Sequence, residues 1–103
     1  MQKREPYIAA VDHFYFDMLH LSDVLKHVKL ALQYGATANY VFSFSPQSLL
    51  TMACLKNDVL AVQFLLENGA NPNFAVDHTF LPIFSVQSRE VAELLVKAGA
   101  NIH

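Results

Sequence analysis

The chain contains three glycines, and all three stand in the same setting. Gly35, Gly69 and Gly99 are each followed by alanine, and each closes an apolar run. The three stretches are Ala31-Leu32-Gln33-Tyr34-Gly35-Ala36, Leu65-Leu66-Glu67-Asn68-Gly69-Ala70 and Leu95-Val96-Lys97-Ala98-Gly99-Ala100. The glycines are 34 and then 30 residues apart. Glycine is the residue best suited to the left-handed backbone conformation just past a helix end. The spacing therefore predicts three helices that end alike. A unit repeating at this period cannot bury its own apolar face and must stack on its neighbours.

The run before each glycine has helical periodicity. Val24, Leu25, Val28, Ala31 and Leu32 lie at i, i+1, i+4, i+7 and i+8. Val59, Val62, Leu65 and Leu66 repeat most of that face, widened by Phe64, and Val91, Ala92, Leu94, Leu95 and Ala98 repeat it again. Asp23 and Asp58 stand where N-caps are expected.

Each of these helices needs a preceding partner. In the middle unit the partner is expected over 48–55, capped by Ser48, with Asn57 in the left-handed turn that follows. In the last unit it is short, over 82–86, with Pro82 in its first turn. In the first unit it is long and begins near Pro6. Tyr7, Ile8, Val11, Phe14, Tyr15, Met18 and Leu19 form one apolar stripe there. The whole chain, 1–103, reads as one domain with units of about 6–39, 40–73 and 74–103. The last unit is three residues short, and the simplest place for the loss is the turn around Gln87 and Ser88. The linking stretches 37–47 and 71–80 are not helical by pattern. In the first of them Tyr40, Phe42 and Phe44 alternate with Val41, Ser43 and Ser45, which suits an extended hairpin arm.

This arrangement resembles the ankyrin repeat, two antiparallel helices with a projecting hairpin loop. The resemblance is carried by residues 57–73, Asn57-Asp58-Val59 through Gly69-Ala70-Asn71-Pro72-Asn73, similar to the family's second helix and its Gly-Ala-Asp-x-Asn ending. Ser48-Leu49-Leu50-Thr51-Met52-Ala53-Cys54 stands in the place of the family's Thr-Pro-Leu-His-x-Ala-Ala, and Leu81-Pro82-Ile83-Phe84 keeps its proline and aliphatic. Thr51 and Phe84 replace the family histidine, and the loop tips have Ser45-Pro46 and His78-Thr79 instead of Asp-Gly. The resemblance implies an all-α, ankyrin-like helix-turn-helix solenoid with projecting β-hairpin loops. It implies a non-catalytic module that binds a partner protein.

Composition narrows the alternatives. Net charge is −2, which leaves no basic footprint for nucleic acid. No apolar run is long enough for a membrane span, and Asp12, His13, Asp17 and His20 interrupt the N-terminal segment that a signal peptide would need. One cysteine, Cys54, forms no intrachain disulfide and no cysteine-based zinc site. It replaces a small buried alanine of the family, so it reads as structural, not nucleophilic. His13, Asp17 and His20 share a helix face, but about 10 Å of helix rise separates the two histidines, too far for one ion. A solvated His13–Asp17 pair is expected, with no metal and no cofactor. Glu67, Glu90 and Glu93 fall on exposed helix faces, and no catalytic set converges. A cytoplasmic location is expected, or export into a host cell if the source is an intracellular bacterium.

The loops carry the departure from the family that bears on function. Tyr40, Phe42, Phe44, Phe74 and Phe80 stand where polar residues and glycine are usual, with Gln47 and His78 as polar neighbours. These seven are the candidate partner-binding residues, since aromatics dominate interface cores. The competing reading is that the arms pack on one another or under the N-terminal helix. The module is expected to act as an adaptor or scaffold, or alternatively as an inhibitor that occludes an enzyme; a metal protein or enzyme is the distant alternative. Hydrophobic residues make up 53% and charged residues 16%, so apolar surface is in surplus against the usual quarter of charged residues. It is expected at the aromatic arms and at the last unit, where Val91, Ala92, Leu95 and Val96 have no following unit to meet. A partner, a second copy or further repeats would cover it.

Overall fold

A computed structural model describes residues 14, 15, 17, 18, 20, 23–42, 45–76 and 78–100. The fold is all-α and ankyrin-like. Four helices have full bounds: α1 (Val24–Gln33), α2 (Leu49–Leu55), α3 (Val59–Glu67) and α4 (Arg89–Lys97). Residues 14, 15, 17, 18 and 20 are also helical, in agreement with the apolar stripe of the N-terminal segment. Tyr7, Ile8, Val11 and Leu19 lie outside the described residues, as do Asp12 and His13 and hence the expected His13–Asp17 pair.

The glycines fix how the helices stop. Gly35, Gly69 and Gly99 have φ of 100°, 95° and 105°. In each case the glycine N–H donates three residues back, to Leu32, Leu66 and Val96. The alanine that follows donates five residues back, to Ala31, Leu65 and Leu95, at 2.9–3.1 Å. This pair of bonds is the Schellman ending, and it satisfies carbonyls that the helix itself leaves free. Asn57 (φ 55°) ends α2 the same way, with Asn57 N–H to Cys54 and Asp58 N–H to Ala53.

The starts are less uniform. Ser48 caps α2, Asp58 caps α3 and Ser88 caps α4, each accepting the backbone N–H three residues on. Asp58 and Ser88 stand eleven residues before their glycines, so Ser88 was findable by that offset. Asp23 does not cap α1 with its side chain, contrary to expectation. It stands twelve residues before Gly35, and its carbonyl instead takes the His27 ring Nδ1 at 2.7 Å. The other ring nitrogen lies 3.5 Å from the Asp17 carboxylate, and Phe14 meets the ring edge-on at 5.2 Å. His27 therefore ties the N-terminal helical segment to α1.

Packing follows two layers. Helices α1, α3 and α4 lie side by side, and α2 packs against α3 and against a 3-10 turn, Pro82–Ser85. Six of the seven residues of α2 are buried. A helix this short is unstable alone and forms because its neighbours enclose it. The last unit has no counterpart of α2 beyond that 3-10 turn, which Pro82 opens. The connection to the next helix has three residues in both units, 56–58 and 86–88. The missing three residues are therefore the final turn of the first helix, not the linker around Gln87 and Ser88.

The end units differ from expectation. Val91 and Leu95 are fully buried against the middle unit, so only Ala92 and Val96 of the four named apolar residues face outward. Exposed apolar side chains are also found at Tyr34 and Leu60, places the sequence reading did not single out.

Candidate partner-binding surface

The two loops between units behave differently. In the first, Val41 and Ser48 form one antiparallel bridge, supported by Phe42 N–H to Gln47 and Leu49 N–H to Tyr40. The arm is thus closed, and its alternating side chains divide between two faces. Phe42 points inward and is 2% exposed. Tyr15 of the N-terminal segment meets it edge-on at 5.0 Å, and Tyr40 does so at 5.8 Å. Tyr40 is half-buried against the same core. Phe42 is therefore a core residue, which corrects its reading as a partner contact. The N-terminal segment supplies the aromatic cover that the loop sequence alone does not reveal. Phe44 lies outside the described residues. Gln47 is half-buried, and its backbone N–H and side-chain oxygen both meet the Ser45 hydroxyl.

The second loop projects. Phe74 is 36% exposed and Val76 is 62% exposed. The loop is pinned from both sides by asparagines. The Asn71 N–H donates to the Asn39 side chain at 2.7 Å, toward the first unit. The Asn73 side chain donates to the Gly99 carbonyl at 3.0 Å, toward the last. Within the loop, Asn73 N–H meets the Asn71 side chain at 2.8 Å and Phe74 N–H meets the Asn71 carbonyl at 3.1 Å. Pro72 between them is buried. Phe74 consequently leaves a turn fixed by three units at once. Val76 was not among the sequence candidates, because an isolated valine in a loop carries no pattern.

His78 and Phe80 bound a second 3-10 turn, His78–Phe80. Phe80 is half-buried, and its carbonyl accepts the Thr51 hydroxyl at 2.9 Å. That bond anchors the far end of the projecting loop to α2. Thr51, at the position of the family histidine, also accepts the Ser48 hydroxyl at 3.1 Å. Ser48 and Thr51 are both buried, and the Thr51–Phe80 bond joins two units through a hydroxyl where an aliphatic residue could not.

Other chemistry is sparse in the described residues. Cys54 is buried and free, and burial pushes its thiol up to about 12. A thiol that stays protonated is a poor nucleophile. Among the described residues no group of three or more His, Cys, Asp or Glu side chains is placed to hold a metal ion, and no helix is long and apolar enough to cross a membrane.

Residues 46–74 match the family model of the ankyrin repeat. The match covers α2, the Asn57 turn, α3 and the asparagine-rich ending, the stretch on which the sequence resemblance rests. No curated protein and no solved structure matches the chain. Ankyrin repeats are protein–protein interaction modules, and the family is typically non-catalytic.

Proposed function

We propose that this ankyrin-like stack is an adaptor or scaffold that captures a partner protein on its projecting second loop. One observation carries the reading: Phe74 and Val76 are exposed on a loop that Asn39, Asn73 and Thr51 hold to all three units. An apolar anchor presented on a preorganised loop binds without the ordering cost of a floppy one. Gln47, His78 and Phe80 are the proposed rim, and Tyr40 adds whatever part of its ring the core leaves open. Specificity would reside in these side chains, none of which ends or caps a helix.

The test is affinity capture with mass spectrometry, using the whole chain and the double variant Phe74→Ser/Val76→Ser. The expected result is loss of the captured partner with an unchanged thermal midpoint. Equal capture by both chains would refute the loop as the binding element. An activity assay on the captured partner separates scaffold from inhibitor. The cytoplasm is the compartment we propose, since the lone thiol has no disulfide partner in the chain.

A further inference from the structure

The glycines provide a ruler for the second helices. Counting back from them, positions −10, −7 and −3 are Leu25, Val28 and Leu32 in α1, Val59, Val62 and Leu66 in α3, and Arg89, Ala92 and Val96 in α4. In α1 and α3 these residues are buried or half-buried. In α4 the stripe is open: Val96 is 44% exposed, and Arg89 is exposed beside it. The first-helix layer agrees. Counted from Leu49 and Pro82, Phe84 takes the position of Thr51; Thr51 is 1% exposed under the last unit, while Phe84 is 65% exposed. A shallow groove on this end is lined by Arg89, Ala92, Glu93, Val96 and Lys97.

We infer that the α4 end face is a self-association surface that binds a second copy of this chain about a two-fold axis. The ordering of residues on α4 carries the choice of occupant. In an antiparallel pair of α4 helices, residues whose numbers sum to a constant face each other, and a two-fold places like flanks together. A dyad between residues 94 and 95 brings small Ala92 to within one residue of register with Val96 of the second copy, twice. The same dyad leaves Glu93 within one residue of register with Lys97 of the second copy, also twice, because both lie on one flank of the stripe. Arg89 then lies near the C-terminal end of the opposing helix, where the helix dipole favours a cation. Among the described residues, none of Arg89, Glu93 and Lys97 is engaged in an ion pair within the chain. Phe84 extends the apolar area on the same end. The face is thus complementary to itself in size and in charge. None of the loop residues proposed to bind a partner takes part, so either reading can fail without the other.

Sedimentation velocity of the whole chain across a concentration series tests this, with circular dichroism of each variant to check folding. The expected result is a dimer that dissociates on dilution. Val96→Glu should give a folded monomer. Glu93→Lys and Lys97→Glu should each weaken association by about tenfold, since each places like charges together at both symmetric contacts. The double variant E93K/K97E should restore it. A monomer at all concentrations, an open-ended polymer, or a double variant no tighter than the singles would overturn the proposal.

Discussion

Replacing Thr51 by valine removes one hydroxyl and little else, which makes it a sharp probe of how the units are joined. Valine has the shape of threonine, so packing around a side chain that is 1% exposed changes little. Two hydrogen bonds are lost. The Phe80 carbonyl loses the donor 2.9 Å away, which is the polar component of the tie between α2 and the last unit. The Ser48 hydroxyl loses its acceptor at 3.1 Å. A buried hydrogen bond is worth roughly 1 kcal/mol net, and an orphaned buried group costs about 1–3 kcal/mol. Phe80 is half-buried and water can reach part of its backbone, so the lower part of that range applies, giving about 2 kcal/mol in all. For a domain of this size that lowers the thermal midpoint by about 10 °C.

The direction of the damage is as informative as its size. In a stack, each unit is stabilised by its neighbour. Weakening the contact between α2 and the last unit should open α4 first. Amide exchange in α4 should speed up by about 30-fold, the equivalent of 2 kcal/mol, while α1 changes less. Ser48→Ala behaves differently. It removes the cap on the Thr51 N–H for about 1 kcal/mol but leaves the Thr51–Phe80 bond in place. A Thr51→Val chain within 0.5 kcal/mol of the parent, by urea denaturation, would refute the reasoning. So would equal acceleration of exchange in α1 and α4.

Two further outcomes follow from burial. Phe42→Ala should cost about 3–5 kcal/mol, the usual cost of deleting a core phenylalanine, whereas Phe74→Ser should cost less than ~1 kcal/mol because its site is partly solvated; chemical denaturation of the two variants measures both, and the reverse order would contradict the assignment of one loop to the core and the other to the surface. Cys54 makes stability fall in alkali. Its thiol is raised by desolvation from an ordinary 9.0 to about 12, so the unfolded chain ionises first and binds fewer protons than the native one. Stability is unaffected below pH 9 and then declines by about 1.4 kcal/mol per pH unit until the native thiol ionises. Cys54→Ala should lack that component, which the difference between the two chains' urea midpoints at pH 8 and pH 10 reveals.

What could be read in the sequence was whatever the glycines control. A left-handed residue fixes the end of a helix to the residue, so the three Schellman endings, the Asn57 turn and the identity of the buried second-helix faces were all legible. So was the Asp58 cap. Control weakens with distance from the glycine. Asp23 looked equivalent to Asp58, but α1 is one residue longer than α3, and His27 had already engaged the Asp23 carbonyl. The first-helix layer has no glycine of its own. The loss of a helical turn before Val86 was therefore misplaced into the linker. The loops are further still from such control. Period-2 alternation said that Tyr40 and Phe42 share one face, opposite Val41, but not which face is inward. That was decided by Tyr15, which is 27 residues away from Phe42 in sequence. Phe74 and Phe42 are both loop phenylalanines beside small residues, and only the long-range asparagine bonds around one and the aromatic cover over the other separate them.

The apolar surplus is explained by the same geometry. A stack buries both faces of every interior second helix, so an apolar fraction that would be excessive in a two-layer domain is absorbed between units. The residue types change where that demand stops. At the −10 position leucine and valine give way to Arg89, and at −7 valine gives way to Ala92. A charge and a small side chain there reduce the apolar area that α4 presents. The reduction is incomplete, because Val96 and Phe84 retain their side chains and their exposure. A face that met only water would carry polar side chains at both positions. Their retention beside an alternating Arg89, Glu93 and Lys97 is the pattern of a face that meets another surface part of the time, and this distinguishes it from Phe74 and Val76, whose loop carries no formal charge from Asn71 to Val76.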